Sequence, residues 1–100
     1  MQKLLLKYSA SHPTAAGHFP GNPIIPGALL LAEVLELIRK TAEVNMDECA
    51  VQSAKFLHPV RPGDRVEIEY EISVKNTINF KCSVGQNAVL SGGISATAKQ

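Results

Sequence analysis

One hundred residues, 45% hydrophobic and 19% charged, are ordinary proportions for one globular domain and leave no room for a second, so residues 1–100 are read as a single unit. Ten Lys and Arg against nine Asp and Glu give a formal charge of +1, with no basic run interleaved with aromatics, which argues against nucleic acid as a partner. The longest apolar run, residues 28–32, is far too short to span a bilayer, so no membrane span is expected.

Residues 3–10 (KLLLKYSA) have the length and apolar content of an early or edge strand, ending at Ser11-His12-Pro13, where proline turns the preceding residue away from helix. Residues 17–27 (GHFPGNPIIPG) then place one histidine, His18, among three prolines and three glycines. Proline fixes φ and glycine permits close approaches, so the mixture predicts a shaped loop rather than a loose one. From Pro26, PGALLLAEVLELIRKTAE carries no internal breaker and begins with a tolerated proline, predicting a helix of about 16 residues. Its polar residues Glu33, Glu36, Lys40 and Glu43 fall on one narrow stripe, which predicts a solvated face there and burial elsewhere.

A second strand is expected within MDECAVQSAKFLHPV, closed by the turn Arg61-Pro62-Gly63-Asp64. In DRVEIEYEISVK, Val66, Ile68, Tyr70, Ile72 and Val74 alternate with charged or polar residues, a strand with one wet face. Lys75-Asn76-Thr77 turns the chain into a strand through Ile78, Phe80, Cys82 and Val84, and Gly85-Gln86-Asn87 into a last one through Leu90, Ile94 and Ala96, with Gly92-Gly93 marking a bulge. A sheet must bury one face, and one helix laid against it satisfies both. The expected fold is α+β, a curved antiparallel sheet around one long helix. Cys49 and Cys82 lie far apart, outside any CxxC pair or metal-ligand cluster and with no signal peptide. They are read as small buried hydrophobes in a reducing, cytoplasmic setting, with no metal and no cofactor. A chain this short buries only about 60–65% of its unfolded surface, so an oligomer is expected.

GHFPGNPIIPGALLL resembles the HFPG-x-P-[IV]-x-PG-x-L signature of the hot-dog-fold 3-hydroxyacyl-[acyl-carrier-protein] dehydratases of fatty acid synthesis, and AKFLHPVRPGDRVEIEYEI resembles their KF-x-x-PV-x-PGD segment. The resemblance runs from about residue 3 to residue 96 and implies a hot-dog fold, a dimer of sheets joined side by side, and an acyl tunnel at the interface. It implies that His18 is the base removing the C2 proton and that the N–H of Gly27 receives the thioester oxygen. Phe19, Pro26, Ala28 and Ala32 would then border the substrate. That chemistry suits a near-neutral base held beside a positive helix end. The motif also starts close to the first residue, from which a shorter tunnel wall is expected.

The family's second catalytic residue is an acid five residues after that glycine, and here that position is Ala32. Glu33 is the next residue, about 100° around the helix, and is the substitute considered. Glu67, Glu69, Glu71 and Asp64 read as wet-face or turn residues, and His12 and His58 as loop or sheet-edge residues. Three functions follow from an intact histidine and a missing acid. The first is a hydro-lyase acting on acyl thioesters of acyl carrier protein or CoA. The second is an accessory acyl-thioester binding subunit, either a homo-oligomer or paired with a complete paralogue. The third is a thioesterase on the same fold.

Overall fold

The structure, a computed structural model, describes residues 2–9, 24–42, 44–73 and 77–98, and of 44–48 and 96–98 only the backbone. Strand β1 (Gln2–Lys7) is followed by helix α1 (Gly27–Thr41), then by strands β2 (Val44–Phe56), β3 (Arg65–Ile72), β4 (Thr77–Val84) and β5 (Asn87–Ala98). The strands form one antiparallel sheet in the order β1-β3-β4-β5-β2.

Alternation decides which face is dry. Val66, Ile68 and Tyr70 of β3, Ile78, Phe80 and Cys82 of β4, and Leu90 and Ile94 of β5 are buried, while Glu67 and Glu71 face out. The row Leu4, Ile68, Cys82, Leu90, Phe56 crosses all five strands in register on the inner face. Against this face α1 sets Leu30, Val34 and Ile38, spaced four apart so that they share one stripe. The helix is buried on that stripe alone. Ala28 and Ala32 are exposed and Leu29, Leu31, Leu35 and Leu37 only partly covered, so it is less buried than its sequence predicts, because one sheet covers one side of a helix.

Two tyrosines tie the helix to the sheet. Tyr70 donates to Thr41 Oγ1 at 3.1 Å, and Thr41 in turn donates to the Leu37 carbonyl at 2.9 Å. The first strand stops at Lys7, short of residue 10, because Tyr8 turns inward and its backbone pairs with the β3 turn instead (Tyr8 N–H to Asp64 O 2.9 Å, Gly63 N–H to Tyr8 O 3.0 Å). Gly63 supplies the positive φ of 95° that this turn needs, and Asp64 accepts the Arg61 N–H at 2.8 Å, as its turn role predicts.

The bulge expected at Gly92-Gly93 lies on the neighbouring strand. The ladder steps from Val51↔Ile94 to Ser53↔Gly93, so the extra residue is Gln52 of β2. Gly92 serves close approach instead: a Cβ there would collide with the Ser53 carbonyl and stand 2.8 Å from Phe80 Cζ. Cys82 is buried, its thiol pushed up to about 12 by desolvation, and Cys49 is half-buried; both are free.

Candidate active site at the helix N-terminus

Helix α1 begins at Gly27 without a side-chain cap, since its N-cap residue is Pro26, and without an acid in its first turn. The opening N–H groups of a helix have no intrahelical partner and carry its positive end. Among the described residues no side-chain cap and no first-turn acid neutralises them. The first intrahelical bond runs from Leu30 N–H to Pro26 O at 3.0 Å. The approach to the helix is pinned by Ile25, which is buried and donates to the Val60 carbonyl at 2.7 Å. That bond joins the two motif segments, because Val60 belongs to the KFLHPV stretch.

Between them lies a groove of about 290 Å³ lined by Ile24, Ile25, Gly27, Leu30 and residues 56–60. Its side chains are apolar except for His58. The Phe56 ring rests on Gly27: a Cβ added there would lie 3.0 Å from Phe56 Cε1 and 3.3 Å from Cδ1 and Cζ. Glycine at the helix start therefore keeps this space clear. A larger depression, about 840 Å³, opens on the wet side near Lys3, Arg65 and Glu67, away from the motif residues.

The structure thus brings Pro26, Gly27 and His58 to one place. Ala28 and Ala32, one turn apart, share an exposed face. A side chain at position 32 faces out of its own subunit. His18, Phe19 and His12 lie outside the described residues.

Glu33 departs from the plain solvated stripe expected for it. Glu36 and Lys40 are exposed, Glu36 bonded to Arg39 at 2.6 and 2.9 Å, whereas Glu33 is half-buried and its Oε1 accepts the Tyr8 hydroxyl at 2.9 Å. Glu43 lies outside the described residues. Burial, and then the bond to Glu33, push the Tyr8 phenol well above its usual value. A raised phenol stabilises the fold while it stays protonated, and that contribution is lost as pH climbs past about 10. Tyr8→Phe is expected to lower stability by about 1–2 kcal/mol near neutral pH, and to flatten part of the alkaline decline seen in urea unfolding from pH 8 to 11. An unchanged alkaline limb would show that the pair has no such weight.

Sequence reading missed Tyr8 and Phe56 as site neighbours. The signal for Phe56 was its place in the KF segment; Tyr8 had none, because its partner lies 25 residues away.

A family model described as ApeI-like, ApeI dehydratase, matches residues 2–94. The chain is 35% identical over 80 residues to the 3-hydroxyacyl-[acyl-carrier-protein] dehydratase FabZ of Caulobacter vibrioides, covering 71% of this chain and 50% of that protein. With the FabZ of Haemophilus influenzae (strain PittEE) it shares 32% identity over 105 residues, covering 97% and 70%. The chain thus spans about half the length of the Caulobacter relative. Among solved structures, the dehydratase heterocomplex ApeI:P from Xenorhabdus doucetiae superposes with a TM-score of 0.76 at 19% identity, over 95% of this chain and 85% of that one. The (R)-hydratase from A. caviae involved in PHA biosynthesis gives 0.71 at 17%, over 97% and 92%. Both share the hot-dog fold described above. Among the described residues no helix is long and apolar enough to cross a membrane.

Proposed function

The chain belongs to the ApeI-like dehydratase family, and from that premise we propose that it dehydrates (3R)-3-hydroxyacyl thioesters of acyl carrier protein or CoA. His18 takes the proton from C2. The negative charge that moves to the thioester oxygen is received by the Gly27 N–H. As the C2=C3 bond forms, the C3–O bond breaks, and the leaving hydroxyl takes a proton from an acid and departs as water. With Ala32 in the family's acid position, water, Glu33 or a partner subunit supplies that proton. Phe19, Pro26, Ala28 and Ala32 border the substrate. Two free cysteines suit a reducing, cytoplasmic setting.

The observation that carries this reading is the helix start at Gly27, without a side-chain cap or a first-turn acid among the described residues, opening on an apolar groove and following the GHFPG stretch in sequence. The deciding assay supplies the purified chain with a 3-hydroxyacyl thioester and follows enoyl absorbance and free thiol separately. Enoyl product without thiol supports the lyase, thiol without enoyl product makes it a thioesterase, and neither removes both.

A second reading is favoured by one feature. The family's acid position, 32, is an exposed alanine, so that position supplies no carboxylate, and the Xenorhabdus neighbour is a heterocomplex. On this reading the chain is an accessory acyl-thioester binding subunit whose acid comes from a complete paralogue.

The accessory reading, and the lyase reading when a partner supplies the acid, need a second subunit. Strand β2 is one of the two edge strands of the sheet, its residues 50–56 are exposed, and Val51 and Phe56 are 48% and 51% accessible. An edge of this length invites pairing. Sedimentation velocity at micromolar concentration is expected to give a dimer or a larger assembly. A strictly monomeric species would remove the shared site.

A further inference from the structure

We propose that the Phe56 ring is the specificity wall of this site, admitting acyl thioesters unbranched at C2 and excluding those with a methyl branch there. The inference rests on the placement of the thioester oxygen at the Gly27 N–H proposed above, and it adds a residue and a substrate class to it.

A Cβ on Gly27 is a methyl-sized probe. Cα–Cβ bonds on a helix tilt toward its N-terminus, the direction in which the first-turn N–H groups also point. The volume a methyl would fill on Gly27 therefore lies beside the path by which a carbonyl oxygen reaches that N–H. Three Phe56 ring carbons stand 3.0–3.3 Å from this position. Comfortable carbon contacts need about 3.5–4.0 Å, so a methyl group there crowds the ring, which must give by a few tenths of an ångström to admit it.

An acyl carbonyl accepting from Gly27 at about 2.9 Å carries its C2 past the same ring. A CH₂ at C2 presents only hydrogens to the ring face, whereas a methyl branch presents a second carbon. The backbone that carries the ring is held in place. Phe56 ends β2 in register with Leu90, and the next residue, Leu57, donates its N–H to the Val89 carbonyl at 2.9 Å, so the backbone is fixed on both sides. The groove's volume of about 290 Å³ lies at the small end of ligand pockets, which run from about 300 to 1,000 Å³.

The test is a binding measurement, so it does not depend on turnover. Two analogues of acyl pantetheine, with an amide nitrogen in place of the thioester sulfur, are titrated calorimetrically: butanoyl and 2-methylbutanoyl. The natural chain is expected to bind the unbranched analogue at least about tenfold more tightly, the lower range for one methylene-sized misfit. Phe56→Ala is expected to shrink that ratio to within about threefold by gaining affinity for the branched analogue, and Phe56→Tyr to keep it. Phe56 is half exposed, and Phe56→Leu takes the place of the alanine variant if the latter fails to fold. Equal affinities in the natural chain, binding of neither analogue, or discrimination that survives Phe56→Ala (or Phe56→Leu in its place) would overturn the proposal. Phe56-dependent discrimination in a chain that forms no enoyl product keeps the wall and discards the lyase. Enoyl formation without discrimination does the reverse.

Discussion

His18→Ala is expected to lower dehydration of a 3-hydroxyacyl thioester by about 10²–10⁴-fold, the usual loss when a general base is removed. Thermal unfolding is expected to stay where it is, on the expectation that this histidine serves the chemistry rather than the core, which among the described residues is built chiefly from β3, β4, β5 and one stripe of α1. The prolines and glycines of GHFPGNPIIPG fit a requirement for fixed distance: a base and an oxyanion donor act together only when both are held in reach of one substrate. Paired measurements of enoyl formation and melting temperature check this. Full activity in the variant would move the base elsewhere.

Position 32 separates the functional readings. Ala32→Glu is expected to raise turnover tenfold or more, and tenfold corresponds to about 1.4 kcal/mol off the barrier. Ala32 is exposed, on the face of α1 away from Leu30 and Val34, so a carboxylate there would reach toward a partner subunit rather than its own core. Glu33→Gln gives the contrast. If Glu33 supplies the proton, Glu33→Gln removes activity and Ala32→Glu adds little. If Glu33 serves mainly to hold Tyr8, Glu33→Gln costs stability and spares turnover. Rates unchanged and negligible in both variants, with acyl-thioester binding retained, would replace the enzyme by the accessory subunit.

How much of this was legible in the residues depended on how local the cause was. Strand β3 could be read from its alternation, which holds for the buried Val66, Ile68 and Tyr70 and lapses at the exposed Ile72, and the turn at Asp64 from its own Arg61-Pro62-Gly63-Asp64 chemistry. The helix was legible to within a residue or two, with Gly27 at its start, but its depth was not. Leu31 and Leu35 look as apolar as Leu30 and Val34, and only the sheet decides which stripe is covered. Strand β2 begins at Val44, two residues before the stretch expected, and stops at Phe56, where the residues toward Pro59 leave the ladder. Gly92 announced a special backbone position correctly in kind and wrongly in use. The juxtaposition of Phe56 with Gly27 joins residues 29 apart in sequence, and the KF segment marked the region without marking the contact.

The strand order has a consequence for where the molecule opens first. Strands β3, β4 and β5 follow one another in sequence and zip through short connections, whereas β2 joins β5 only by closing a much longer loop, with Phe56 meeting Leu90 and Val44 meeting Ala98. Longer loops cost more entropy to close, and the β2·β5 ladder is further interrupted at two places, between Asn45 and Ala50 and between Val51 and Ser53. The groove depends on this seam, because Phe56 lies against Gly27 and Leu57 lines the groove from the end of β2. Hydrophobic cohesion therefore resides in the meander and recognition in the seam, so partial separation of β2 dismantles the pocket while most of the core remains folded.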